Sequence, residues 1–342
     1  MKLPSTLRTF SFFLAVATLP CAGCFADSEA PVLTVDVRLT DPQGPILQGP
    51  EFNGYGFNSK LFNGLQLNGA QFAGAFLPGS TVAQQLFLRG GQLFSSSLQN
   101  IEGAMLQATL SDGSSLRLQI ADVTPTNDAE IYEYTVRYFN GSEWGNLCGE
   151  SNGVPVPALA LAGRWDESAG TATGGDHIED PSLFTFACKN AVLAKCVLAG
   201  YAPWRSITEC DGADCQTISM RDMHQACTRM MRADYCGDGT PHTQNGTLIN
   251  IWDNFDIQTR DTDLPVNWTH EAEWSPNGAV CTRQVRWSGT AENYISRHCP
   301  ERWASSSFDC FGQHSTFFTA PGYDTPIATR SLFRNQFTHD TL

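Results

Sequence analysis

The chain has 342 residues, with 21 Lys and Arg against 35 Asp and Glu, a formal charge of −14, and 42% hydrophobic residues. That balance suits a folded globular chain, and the acidic excess without any basic run excludes the electrostatic footprint a nucleic acid demands. A chain this long buries roughly three quarters of the surface it would expose unfolded, so it needs no metal merely to fold, and no cofactor is expected.

The first residues read as an address. Lys2 and Arg8 precede the apolar stretch Phe10–Leu19, followed by small residues, which is the layout of a secretory signal over 1–26. Two processing sites compete. Cys21-Ala-Gly-Cys24 resembles a lipobox that would lipidate Cys24 and tie the chain to a membrane, whereas Cys24-Phe-Ala26 fits small-x-small cleavage. Cleavage before Cys24 would remove two positive charges and no acids, leaving the mature chain still more acidic. No other stretch is apolar enough to cross a bilayer. The expected location is outside the cytoplasm: an outer-membrane lipoprotein, or a periplasmic or extracellular protein.

Residues 27–46 read as a linker. From Leu47 a period of five appears: Leu47-Gln-Gly, Phe52-Asn-Gly, Phe57-Asn-Ser, Phe62-Asn-Gly, Leu67-Asn-Gly, Phe72-Ala-Gly and Leu77-Pro-Gly, with the apolar register persisting at Val82 and Phe87. Five matches neither helical nor strand periodicity. The segment 47–91 resembles the pentapeptide-repeat family, which implies a short square β-helix with Leu or Phe stacked inside and small residues at the corners. The alternative is a Gly-Asn-rich loop.

Beyond it, Met105–Leu110 and Ser115–Ile120 alternate apolar and polar residues around Ser111-Asp-Gly-Ser114, a hairpin pattern. Ile131–Phe139 predicts a further strand, and Val154–Leu161 an edge strand limited by its prolines. Phe184–Leu198 reads as a helix carrying Cys188 and Cys196 near one face, two turns apart. Ser219-Met-Arg-Asp222 forms a capping box, so a second helix starts there, presents Cys227 and stops at Gly237. Gly246–Trp252 and Ala279–Trp287 read as strands.

Ten cysteines lie in the body of the chain, namely Cys148, Cys188, Cys196, Cys210, Cys215, Cys227, Cys236, Cys281, Cys299 and Cys310. An even number in an exported chain predicts five disulfides, with connectivity open; the alternative is one catalytic or metal-bound thiol pair. All ten, and all eight tryptophans, fall from Trp144 onward. The tryptophans admit a face for an envelope protein or glycan, by stacking.

One cluster carries a family likeness. Ala233-Asp-Tyr-Cys-Gly-Asp-Gly239, with His242-Thr243 and Gly246-Thr247, resembles the core of the ADYC domain, a family of exported bacterial proteins named for those four residues. Lys195-Cys196, Gly200–Trp204, His224–Cys227, Glu271–Trp274 and Asn277–Cys281 agree with it, so the likeness covers roughly residues 110–310. It implies export, one disulfide-rich domain over 92–342, and no assigned catalytic residue.

Asp234, Asp238 and His242, spaced four apart, are the candidate catalytic residues of an extracytoplasmic hydrolase, with or without the help of a metal. The competing reading gives them turn work: Asp234 paired with Arg229 or Arg232, Asp238 in an Asx turn, His242 bonded locally. A thiol nucleophile at Cys236 beside His224, His242 or His270 would need an unpaired cysteine. Asp211 with Asp214, Asp253 with Asp256, and Asp261 with Asp263 match no calcium loop, and no metal is assigned. The expected fold is mainly β with a few helices (α+β): a short pentapeptide-like β-helix, an antiparallel sheet (β-rich start, 100–165) and a disulfide-rich α+β core (184–310). The expected role is binding or structure at the cell envelope.

Overall fold

The computed structural model describes residues 71–78, 85–95, 101–109, 115–139, 141–180, 183–211, 214–244, 247–262, 267–304, 310–311 and 330–339. The signal region with Cys24, the linker, and repeats Leu47 to Leu67 lie outside them.

Among the described residues a seven-stranded and a four-stranded antiparallel sheet, four two-stranded sheets and three α-helices make the fold. The first sheet runs β1 (Gln71–Phe76), β4 (Met105–Thr109), β5 (Ser115–Pro125), β6 (Tyr132–Phe139), β10 (Ala158–Ala162), β13 (Phe184–Cys188), with β7 (Trp144–Asn146) also on β6. Between β7 and β10 the short strands β8 (Glu150–Ser151) and β9 (Val154–Pro155) pair with each other. The expected hairpin is β4 and β5, in register from Met105↔Gln119 to Thr109↔Ser115. The described repeats do not form a square coil. Gln71–Phe76, which holds the Phe72 repeat, is an edge strand antiparallel to β4, and Phe87 lies in the hairpin of β2 (Leu86–Arg89) and β3 (Gln92–Ser95). At these positions the repeat residues lie in strands of two separate sheets.

Burial corrects a further pair of expectations. The segment after Pro157 is not an edge strand: β10 lies between β6 and β13, with Ala158 and Ala160 in the core on one face and Leu159 and Leu161 in the core on the other. The prolines precede the strand, so they remove no ladder donor from its centre. Phe184–Leu198 is not one helix. Phe184–Cys188 is strand β13, buried throughout and paired with β10, and the helix α1 covers only Val192–Leu198. A short run buried on both faces has no period that separates strand from helix. α1 then packs Leu193, Ala194 and Val197 against Leu159, Leu161 and Ala187.

The second sheet runs β16 (Leu248–Asp253), β19 (Phe333–Thr338), β17 (Thr269–Ser275), β18 (Gly278–Thr282). The central helix α2 (Met220–Arg232) lies on it and joins the largest core, where Met220, Met223, Met230 and Met231 meet Ile249, Ile251, Trp274, Phe333 and Phe337. The helix starts where the capping box placed it: Ser219 is the N-cap and its hydroxyl accepts from the Arg221 amide at 3.2 Å. It does not run to Gly237. Ala233 takes a left-handed conformation at φ 53°, its amide bonds Met230 O and that of Asp234 bonds Arg229 O, closing the helix four residues earlier in a Schellman arrangement.

Five disulfides brace this framework. Cys196–Cys227 ties α1 to α2, Cys148–Cys188 ties the loop after β7 to β13, and Cys281–Cys310 ties β18 to the chain well beyond the third helix. Cys236–Cys299 ties the turn after α2 to the end of α3 (Thr290–His298), and Cys210–Cys215 crosses the hairpin of β14 (Ser206–Asp211) and β15 (Asp214–Ser219). No helix among the described residues is long and apolar enough to cross a membrane.

The helix contact also makes stability depend on acid. His224 of α2 is buried against α1, and its Nε2–H donates to Leu193 O at 2.9 Å. Burial pushes its imidazole down to about 4, against the opposing effect of that bond. The unfolded chain therefore binds the proton more readily than the folded one. Stability that is full above about pH 6.5 is lost as pH falls toward 4. Between pH 7 and 4 the wild type loses about 3 kcal/mol relative to His224→Gln, read by urea unfolding at each pH. Asp253, pushed up to about 6 by burial, acts in the opposite direction. The comparison with His224→Gln cancels that contribution.

Candidate functional site

The three sequence candidates sit in the turn after α2, where the loop between β11 (Arg164–Trp165) and β12 (His177–Ile178), the β17–β18 turn and α3 converge. Asp234 is fully buried. Its Oδ2 accepts from Arg229 Nη1 at 2.5 Å and from the Gly239 amide at 2.9 Å, while Oδ1 accepts from the Asp238 amide at 3.1 Å. The carboxylate thus holds the following turn closed around itself. Arg229, from the last turn of α2, is equally engaged: Nη1 also donates to Gly174 O at 2.5 Å, Nε to Pro276 O at 3.1 Å, and Nη2 to Asp176. One guanidinium joins three separate stretches of chain. Its charge at the helix C-terminus is also favourable to the helix dipole.

Two glycines make the approach possible. Gly237 has φ +70° and a Cβ there would stand 2.1 Å from Asn277 O; Gly239 has φ +84° and a Cβ would stand 2.2 Å from Ser168 O. Backbone meets backbone at both, so neither position admits a side chain.

Asp238 is half-buried. Its Oδ1 accepts from the Thr240 amide at 2.9 Å, an Asx turn, and its Oδ2 accepts from Tyr294 OH of α3 at 2.7 Å. Burial, with Asp238 adding to it, raises the Tyr294 phenol. The His242 amide bonds Arg232 O at 3.0 Å, and its ring lies 4.9 Å from that of Tyr294. Burial lowers the His242 imidazole, against the pull of Asp234 and Asp238, and among the described residues its Nε2 has no hydrogen-bond partner.

The candidates are therefore neighbours in space but are used differently. Asp234 is saturated inside the protein and Asp238 shapes the turn. Among the described residues no group of three or more His, Cys, Asp or Glu is placed to hold a metal. Cys236 is bonded to Cys299, so it offers no thiolate. Asp238→Ala, which removes two bonds at a half-exposed position, lowers unfolding free energy by about 1–2 kcal/mol in urea and leaves the fold intact.

Below the turn lies a second constellation that the sequence did not mark as one. Glu271, Arg286, Tyr235 and Asn335 are fully buried. Tyr235 OH donates to Glu271 Oε1 at 2.7 Å, Arg286 Nε reaches both Glu271 oxygens at 2.8 and 3.0 Å, and Asn335 Nδ2 donates to Oε2 at 2.6 Å. Arg286 Nη2 and Nη1 cap the carbonyls of Met230 and Met231 at 2.8 and 3.3 Å, tying the end of α2 to β17. A buried pair so widely hydrogen-bonded serves as a rigid joint.

Among the described residues Phe87, Trp144 and Val154 are exposed large apolar side chains. Trp144 is 38% exposed, whereas Trp165, Trp252 and Trp274 are buried. It stands directly across β6–β7 from Phe139 with ring centroids 5.4 Å apart, and the Arg117 guanidinium lies 4.2 Å over Phe139. Arg117, Phe139 and Trp144 thus form a row across β5, β6 and β7.

The family model described as the ADYC domain matches residues 99–288. No curated protein and no solved structure matches the chain. The match begins before the β4–β5 hairpin and holds eight of the ten cysteines above; Cys299 and Cys310, partners of Cys236 and Cys281, fall beyond it. It covers more than half of the chain and includes Arg229, Asp234, the two glycines, Glu271 and Arg286, so this protein belongs to the ADYC domain family.

Proposed function

We propose that this protein is an exported, lipid-anchored binding module of the cell envelope, in which the ADYC turn is a structural joint and the ligand is a glycan held by stacking. The observation that carries the binding role is the row of exposed Arg117, half-buried Phe139 and exposed Trp144. An aromatic face beside a guanidinium suits the C–H faces and hydroxyls of a sugar ring. The five disulfides support an oxidising compartment. Anchoring rests on the lipobox-like Cys21–Cys24. The engagement of Asp234 with Arg229 and the turn amides argues against the hydrolase alternative through Asp234, Asp238 and His242, because a bound carboxylate must give up those partners to take a metal or water.

The test is co-sedimentation of the purified protein with peptidoglycan sacculi. The wild type pellets, Trp144→Ala stays in the supernatant, and the two unfold at the same urea concentration. Failure of the wild type to pellet, or equal pelleting of Trp144→Ala, overturns the glycan reading. In the native host Cys24→Ala moves the protein from the detergent-extracted envelope to the soluble fraction. An unchanged distribution overturns the anchor.

A further inference from the structure

We propose that the Cys210–Cys215 disulfide is a thiol-exchange site, a bond that a soluble dithiol opens and closes while the other four remain locked. The five bonds differ sharply in their surroundings. Cys188, Cys196, Cys227, Cys281, Cys299 and Cys310 are buried, so each of four disulfides has at least one sulfur-bearing residue inside a core. Cys210 and Cys215 are both exposed. Exchange proceeds by in-line attack of a thiolate on a disulfide sulfur, so access decides which bond reacts.

The position of the bond makes opening local. Cys210 and Cys215 are direct cross-strand partners near the tip of the β14–β15 hairpin, which is a sheet of two strands paired with nothing else among the described residues. The base of that hairpin is held by other means. Arg205 donates to Asp128 and Glu130 at 2.6 Å each, its carbonyl accepts from the Met220 amide at 2.9 Å, and Ile218 is buried. Breaking the bond therefore frees the tip and leaves the N-cap of α2 anchored. Opening Cys196–Cys227 instead would release α1 from α2 inside the core.

The step balances with a dithiol as reductant. Its first thiolate attacks one sulfur of the pair, forming a mixed disulfide and breaking the Cys210–Cys215 bond, and the displaced cysteine thiolate takes a proton. The second thiol of the reductant then attacks its own sulfur in the mixed disulfide, closing the reductant into a ring disulfide and releasing the other cysteine as a thiol. Two electrons and two protons pass to the protein, and the reverse sequence restores the bond.

The experiment titrates the folded protein with dithiothreitol, traps thiols with iodoacetamide and maps labelled peptides. Cys210 and Cys215 reach half-labelling at a concentration at least about tenfold below that needed by the other eight cysteines, with near-ultraviolet circular dichroism unchanged. The double variant Cys210→Ser/Cys215→Ser keeps that spectrum and labels at no cysteine in the same range. The proposal is overturned if another pair is labelled at the same or lower concentration. It is equally overturned if labelling of Cys210 and Cys215 brings loss of the near-ultraviolet spectrum, or if the double variant fails to fold.

Discussion

Arg229→Met destabilises this protein by about 3–5 kcal/mol, measured by urea unfolding followed by circular dichroism. The substitution keeps most of the volume of the side chain but removes every donor that reaches Asp234, Gly174, Pro276 and Asp176. What remains is a carboxylate at Asp234 with no exposed surface and two backbone amides as its partners. The unpaired charge, rather than the lost packing, dominates the cost, so the double variant Arg229→Met/Asp234→Asn is less destabilised than the sum of the two single changes by about 1–3 kcal/mol. A loss below about 1 kcal/mol for Arg229→Met would show that the guanidinium is not the joint described here.

Gly239→Ala is the second large effect. At φ +84° an alanine is strained, and its Cβ would lie 2.2 Å from Ser168 O and 2.8 Å from the Gly174 carbonyl carbon, both backbone atoms that cannot rotate away. The expected loss is at least about 3 kcal/mol, or failure to accumulate as soluble protein. Gly149→Ala separates strain from collision: it shares a positive φ of +71° but has nothing within 4 Å, so it costs only about 1 kcal/mol. Equal losses for the two variants would mean that the loop bearing Ser168 and Gly174 does not pack on the turn as described.

Much of this arrangement is legible in the sequence where the determinant is local. Ser219 caps its helix because a hydroxyl in that position satisfies a free amide of the same turn. Asp238 forms its Asx turn with Thr240 for a reason just as short in range. The helix end is hidden because glycine is the usual left-handed residue, whereas here Ala233 takes that conformation with its methyl buried in the core. Phe184–Cys188 passes for helix because a five-residue strand buried on both faces carries no alternation. The pairing of Arg229 with nearby Asp234 is legible in the sequence, but its other partners lie on two loops distant in sequence, and those of Glu271 include Asn335 at the far end of the chain, so no spacing rule reaches them. The exposure of Trp144 likewise follows from its place on a short strand at the sheet margin, which composition does not encode.

The membership of the ADYC family and the geometry of its core point the same way. The four signature residues are consecutive in sequence but do four different jobs. Ala233 ends the helix, Asp234 closes the turn, Tyr235 enters the Glu271–Arg286 network, and Cys236 bonds the end of α3. All four side chains are thus engaged within the fold, by core packing, hydrogen bonds or a disulfide.

The measurement that tests this account most directly is disulfide mapping of the protein purified from its native host, with thiols alkylated at harvest. The predicted result is Cys148–Cys188, Cys196–Cys227, Cys236–Cys299 and Cys281–Cys310, with no alkylation at any of those eight. A free thiol at Cys236, or its pairing with any cysteine other than Cys299, would contradict the structural reading of the ADYC turn and make it a candidate for chemistry again.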